Sequence, residues 1–214
     1  MNMTRLVILS SFLLVYPTTV FSQQLAAVNR DDPALRSAIS EGRNLLGGSS
    51  GFESSGGGDL SQAKLPVVGV LPSKIKTIFD RRPAGFESAK SGPASIDLTR
   101  IKALQVAHGG NFGYTLSYHI ADNLDASWSA TRYKKRVTGK PLLAPSTGMT
   151  CEASADGNTA DGQWSARCQL PKFGITYYTT IFCSAPRTRP YCKTAAYAES
   201  FAKIAEILFP GLPD

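Results

Sequence analysis

The sequence predicts an α+β protein: an antiparallel β-meander of five or six strands with a C-terminal helix packed on one face, preceded by a short N-terminal helix and flexible linkers. Three observations carry this. From Ile101 onward apolar residues recur at every second position. All four cysteines fall in the last third of the 214-residue chain. An amphipathic run, KTAAYAESFAKIAEILFP, closes it. Alternation at period two is the mark of strands with one buried face, and spacing at three to four residues is the mark of a helix with one.

The first residues set the compartment. A weakly positive start is followed by an apolar region of ten residues, 6–15, and then by Val20 and Ser22 at the small-residue positions of a cleavage site. This is the pattern of a cleaved signal peptide over 1–22. The apolar run is shorter than the roughly 20 residues a membrane helix needs. The expected mature chain is exported, periplasmic or extracellular, and soluble, with no membrane span. Four cysteines in an exported chain read as two disulfides. They include no C-x-x-C and no nearby histidine, so zinc-ligand spacing is missing and no metal or other cofactor is expected. The local pairing is Cys151 with Cys168 and Cys183 with Cys192.

Residues 23–98 read as a short helix plus a Gly/Ser/Pro-rich, partly disordered segment. Asp32 suits an N-cap and Pro33 the first helical position. Leu35, Ala38, Ile39, Leu45 and Leu46 then fall on one side until Gly47 stops the run. Residues 47–59, GGSSGFESSGGGD, have the composition of a linker. LPVVGVL, at 65–71, suits an edge strand, and 73–80 suits one or two helical turns. Gly51-Phe52-Glu53-Ser54 recurs as Gly85-Phe86-Glu87-Ser88, with no similarity beyond the tetrapeptide.

Residues 99–214 read as a disulfide-stabilised α+β domain. Tyr114, Leu116, Tyr118 and Ile120 alternate with polar residues, as do Ala126, Trp128 and Ala130, then Met149, Cys151 and Ala153, then Trp164, Ala166, Cys168 and Leu170. Turn residues separate these runs. Cys151 and Cys168 are expected to face inward on neighbouring strands. The run ITYYTTIF at 175–182 is β-branched and aromatic throughout, which predicts a central strand covered on both faces. Thr194 is the expected cap of the last helix, with Tyr197, Phe201, Ile204 and Leu208 as its stripe and Pro210 and Gly211 as its end.

Charge is uneven. The chain carries 23 Lys and Arg against 16 Asp and Glu. Residues 99–214 hold thirteen of the basic and eight of the acidic ones, 13 − 8 = +5. That field favours an anionic surface, a polyanion or an acidic protein as partner; export makes nucleic acid an unexpected one. The densest basic patch is Arg132, Lys134, Lys135, Arg136 and Lys140. The second candidate surface is the loop CSAPRTRPYC, where Cys183 and Cys192 enclose Arg187 and Arg189 between two prolines.

Sequences that name chemistry are missing or misplaced. Residues 47–51 match G-x-S-x-G, but a helix precedes them where a hydrolase has a strand, and no histidine follows His119. There is no H-E-x-x-H, P-loop or dinucleotide fingerprint. Arg43-Asn44-Leu45-Leu46 lacks the final arginine of the R-x-L-R effector motif. The expected function is therefore exported, non-enzymatic binding through the basic C-terminal domain. Two alternatives follow from single features. A serine-protease inhibitor would offer Arg187-Thr188 from the closed loop, and a small hydrolase would use His108 with His119.

Overall fold

The computed structural model describes residues 25–47, 50–54, 58–80, 101–106, 112–132, 148–153, 163–185 and 188–213. The expected signal peptide lies outside them, as do the second GFES tetrapeptide, His108, Lys134, Lys135, Arg136, Lys140 and Arg187. In chain order the elements are α1 (Pro33–Ser40), β1 (Phe52–Ser54), β2 (Val67–Gly69), α2 (Pro72–Phe79), β3 (Lys102–Val106), β4 (Gly113–Ala121), β5 (Leu124–Thr131), β6 (Thr150–Ala153), β7 (Trp164–Lys172), β8 (Ile175–Cys183), α3 (Ala196–Lys203) and β9 (Glu206–Phe209). The fold is mixed α+β, with most strands in one large, mostly antiparallel sheet.

The sheet runs β1-β3-β4-β5-β8-β7-β6. It is therefore two three-stranded meanders, β3-β4-β5 and β6-β7-β8, set side by side through an antiparallel β5–β8 pair. A single meander would have put β6 beside β5. Alternation along one strand says which face is buried but not which strand is its neighbour, so the rearrangement is invisible in the pattern. The seventh strand also departs from expectation. Phe52–Ser54 lies within the expected linker, yet it pairs in parallel with Ala103–Gln105 at the sheet edge.

Strands β3, β4, β5, β7 and β8 bury residues on one inner face: Ala103 on β3, Tyr114, Leu116, Tyr118 and Ile120 on β4, Ala126 and Trp128 on β5, Cys168 on β7, Tyr177 and Ile181 on β8. β8 was expected to be covered on both sides. Its inner residues are buried, but Tyr178 and Phe182 on the other face are 36% and 38% exposed. β-Branched and aromatic residues suit any pleated surface, half-covered or fully covered, so composition alone overstates burial.

The inner face is closed by α3, which lies on β7 and β8, by α2 beside α3, and by a ribbon of β2 and β9. Ala198 and Ala202 of α3 are buried, which lets the helix come close, and Phe201 meets Tyr118 edge to ring at 5.3 Å. α3 ends at Lys203, however, and 206–209 of the expected helix form β9. The cap is Ala195, without a side-chain hydrogen bond, rather than Thr194. The reason is tertiary. β9 pairs with β2, and Leu208 accepts a hydrogen bond from Leu45 N as well. Backbone partners on two sides outweigh the helical continuation of an apolar stripe. α1 begins as expected, with the Asp32 carboxylate accepting from Ala34 N at 2.9 Å and Leu35 N at 3.4 Å. It stops at Ser40, so Leu45 and Leu46 are not on the helix, and Ile39 is exposed.

β2 is held to the large sheet by tyrosine hydroxyls. Tyr114 Oη accepts from Val68 N at 2.7 Å and donates to Val68 O at 2.9 Å. Tyr118 Oη accepts from Val70 N at 3.0 Å, and Tyr177 Oη donates to Pro66 O at 3.1 Å. These three side chains supply the polar partners that a buried strand without a second neighbour would otherwise lack. Gly69 allows the close approach, since a Cβ there would stand 2.4 Å from Leu116 Cδ1 and 2.9 Å from Tyr118 Oη. The core is consequently continuous from Leu35, Leu60, Val67 and Ile75 to Trp128, Tyr177 and Leu208. Arg30 fastens the two ends of the described chain. Its guanidinium donates to the carbonyls of Lys64 at 2.9 Å, Pro210 and Gly211 at 3.1 Å each, and to that of Leu212.

Burial has a consequence at high pH. Desolvation pushes the Tyr114, Tyr118 and Tyr177 hydroxyls well above the usual phenol range; the neighbouring Tyr177 raises Tyr114 further, and Arg30 pulls Tyr177 back only in part. In the unfolded chain each would ionise near pH 10. The folded state therefore keeps protons that the unfolded state loses. The stability these groups contribute is complete below about pH 10 and falls as pH rises beyond it, by about 1.4 kcal/mol per pH unit per tyrosine. Spectrophotometric titration at 295 nm is expected to show exposed tyrosines ionising first and these three only as circular dichroism reports unfolding. Ionisation of all the tyrosines in one reversible step with the fold intact would contradict this.

Candidate functional site

The two disulfides join the expected pairs, Cys151 with Cys168 and Cys183 with Cys192. Cys151 and Cys168 stand directly opposite on β6 and β7. Two disulfides fit an oxidising, exported environment. Among the described residues no helix is long and apolar enough to cross a membrane.

The face of the large sheet turned away from the core spans seven strands. The described helices and the β2–β9 ribbon make their contacts on the other side. Register sets its residues in rows. One row reads Val106, Thr115, Ser129, Tyr178, Gln169, Thr150 from β3 to β6. The next reads Leu104, Ser117, Ser127, Thr180, Arg167, Glu152. A third reads Lys102, His119, Asp125, Phe182, Ser165. Hydroxyls dominate, because small β-branched and hydroxylated side chains are stable on a wet pleated surface. Tyr178 and Phe182 rise among them. They lie four residues apart on β8, and so about 13 Å apart along the strand.

Two polar pairs cross strands on this face. His119 Nδ1 meets Asp125 Oδ1 at 2.8 Å, with both side chains about half exposed. Arg167 pairs with Glu152 across β7 and β6. A flat, solvated surface leaves such pairs in high dielectric, where each is worth little energetically. Among the described residues no group of three His, Cys, Asp or Glu side chains converges as a metal site.

Two of the sequence-derived binding residues are described, and they lie apart in role. Arg132 directly follows β5, and its Nε donates to Ala26 O at 3.1 Å while its backbone exchanges hydrogen bonds with Ala26 and Phe112. It anchors the N-terminal segment. Arg189 begins a short 3-10 turn within the closed loop and lays its guanidinium 5.0 Å from the Trp164 ring centroid. The loop is held down from below. Thr188 is buried, and its hydroxyl donates to the carbonyls of Asn123 at 2.9 Å and Ala185 at 3.0 Å.

Tyr178 and Phe182 were missed as site residues because their strand was expected to be fully covered. Their alternation with Tyr177, Thr179 and Ile181 was the available signal. Against protein-family models, characterised proteins and solved structures the chain has no match, so its fold and its surfaces are read from its own residues alone.

Proposed function

We propose that the protein is an exported, non-enzymatic binding protein whose ligand is an acidic polysaccharide lying across the outer face of the sheet. The observation that carries this reading is the pair of exposed rings, Tyr178 and Phe182, set in rows of hydroxyls with Gln169, Arg167 and Lys102 within the same face. Aromatic faces offer apolar area at low entropic cost to the C–H faces of sugar rings. Hydroxyl and amide groups around them match sugar hydroxyls, and the +5 excess of residues 99–214 favours carboxylated or sulfated chains. Soluble export would place such a protein where these polymers occur.

The two alternatives draw less support. For protease inhibition, the residue after Arg187 would have to enter a protease cleft, whereas Thr188 is buried with helical backbone angles. For hydrolysis, His119 and Asp125 are both about half exposed, and among the described residues they lack the water-excluding walls that make such a pair effective.

The test is retention on heparin-agarose at low salt, against an uncharged dextran column. Wild-type protein is expected to bind heparin, to elute as salt rises through the screening range, and to pass through dextran. The Y178A/F182A double variant, with an unchanged melting curve, is expected to bind heparin about tenfold more weakly, the loss of about 1.4 kcal/mol. Passage of the wild type through heparin at low salt, or equal retention of the double variant, would reject the assignment.

A further inference from the structure

We propose that the Cys151–Cys168 bond is a reducible latch on the edge strand β6, while Cys183–Cys192 is a permanent bond of the core. The two disulfides differ in where they sit rather than in their chemistry. Among the described residues β6 is the last strand of the sheet and is hydrogen-bonded on one side only. It has four residues, none of them buried. It makes four register pairs with β7, the disulfide and the exposed Glu152–Arg167 ion pair join the same two strands, and Cys151 and Ala153 rest partly buried against the edge of the core. Cys151 is partly exposed while Cys168 is buried. Cys183 and Cys192 are both fully buried, between the end of the central strand β8 and the turn that leads into α3.

Exchange needs a thiolate to reach a disulfide sulfur. Cys151 is partly exposed at the sheet edge, whereas Cys183 and Cys192 are both fully buried, so a reductant meets the Cys151–Cys168 bond before the core opens. A dithiol reductant supplies both electrons. Its first thiolate attacks Cys151 Sγ, the protein S–S bond breaks, and Cys168 leaves as a thiolate that takes a proton. The reductant's second thiolate then attacks the mixed disulfide, closing the reductant's own disulfide and releasing Cys151, which is protonated in turn. The net change is one protein disulfide to two thiols and one dithiol to a disulfide.

Release of β6 removes no fully buried residue of its own, so the core stays closed. What changes is the edge. The backbone of β7 over Ala166–Gln169, paired with β6 in the oxidised protein, becomes an open strand edge. The domain thus has two edge states, selected by thiol chemistry without unfolding.

Native protein treated with dithiothreitol, with thiols trapped over time by an alkylating agent and mapped by mass spectrometry, decides the matter. Cys151 and Cys168 are expected to label together, at least about tenfold sooner than Cys183 and Cys192. Hydrogen exchange on the selectively reduced protein is expected to rise at 150–153 and 166–169 and to stay slow in β4, β5 and β8. A C151A/C168A variant is expected to show the same exchange pattern without reductant. Simultaneous labelling of all four cysteines, earlier labelling of Cys183 and Cys192, or unchanged exchange at 150–153 after selective reduction would overturn the proposal.

Discussion

Tyr114→Phe is expected to destabilise the protein by about 2–4 kcal/mol, although it removes a single oxygen atom. That oxygen is the partner of both polar groups of Val68, donor and acceptor, in a fully buried position. A typical hydrogen bond contributes about 1 kcal/mol net, but a buried group left without a partner loses its full solvation, about 1–3 kcal/mol each. In a chain of this size the loss corresponds to a fall of roughly 5–15 °C in melting temperature. Tyr178→Phe is the matched control: the same atom is removed from the wet face of β8, and the expected change is within about 0.5 kcal/mol. Equal melting temperatures for the two variants would mean that the tyrosine contacts do not anchor β2. The test thereby asks whether the N-terminal elements belong to the same cooperative unit as the sheet.

Gly174→Ala is expected to cost a similar amount, about 2–4 kcal/mol, for a different reason. Phe173 and Gly174 form the two-residue connection between β7 and β8, and both have positive φ, 55° and 77°. This is the twist that a tight hairpin between right-twisted strands demands. Phe173 tolerates the left-handed region because its ring is buried edge-on against Tyr177 at 6.3 Å. At Gly174 a side chain would meet backbone rather than a movable neighbour, with its Cβ 2.4 Å from Ala27 O. The added methyl must therefore strain the turn, by about 1–2 kcal/mol for the backbone angle alone, and push away the strand-like segment that runs over it. Asn29 N donates to Phe173 O at 2.8 Å in that segment. Chemical denaturation measures the cost, and faster hydrogen exchange at Asn29 is the expected local sign. Gly47→Ala is the control, having open space around it and an ordinary backbone angle, with an expected effect below about 0.5 kcal/mol. A Gly174 variant as stable as that control would show that the N-terminal segment does not seat on the hairpin.

How much of this was legible depends on the range of the interaction. The alternation of 114–120 and 124–130, the cap at Asp32 and the two disulfides were readable because each is a local pattern: a period, a side chain two or three residues from its partner, or cysteines close in sequence. The parallel strand at Phe52–Ser54 was not, because a Gly/Ser-rich composition describes the unfolded chain's freedom and says nothing of an edge at Ala103–Gln105, 51 residues on, that offers hydrogen bonds. The strand at Glu206–Phe209 was read as helix for the same reason. Its stripe is compatible with a helix until β2 and Leu45 present backbone groups on both sides. The candidate site followed suit. Arg189 and the cysteine loop could be named from the sequence, but the outer face could not, since its rows are assembled from six strands whose order is a tertiary fact.

By itself, then, the sequence determined an α+β chain with alternating strands, a first helix capped by Asp32, two local disulfides and a positive C-terminal part, all consequences of side-chain period and near-neighbour chemistry. The tertiary structure decided the order of the strands, the union of the N-terminal elements with the core, and the open face bearing Tyr178 and Phe182. Those depend on which buried backbone groups find partners. Here three tyrosine hydroxyls, 46 to 111 residues distant along the chain, supply them.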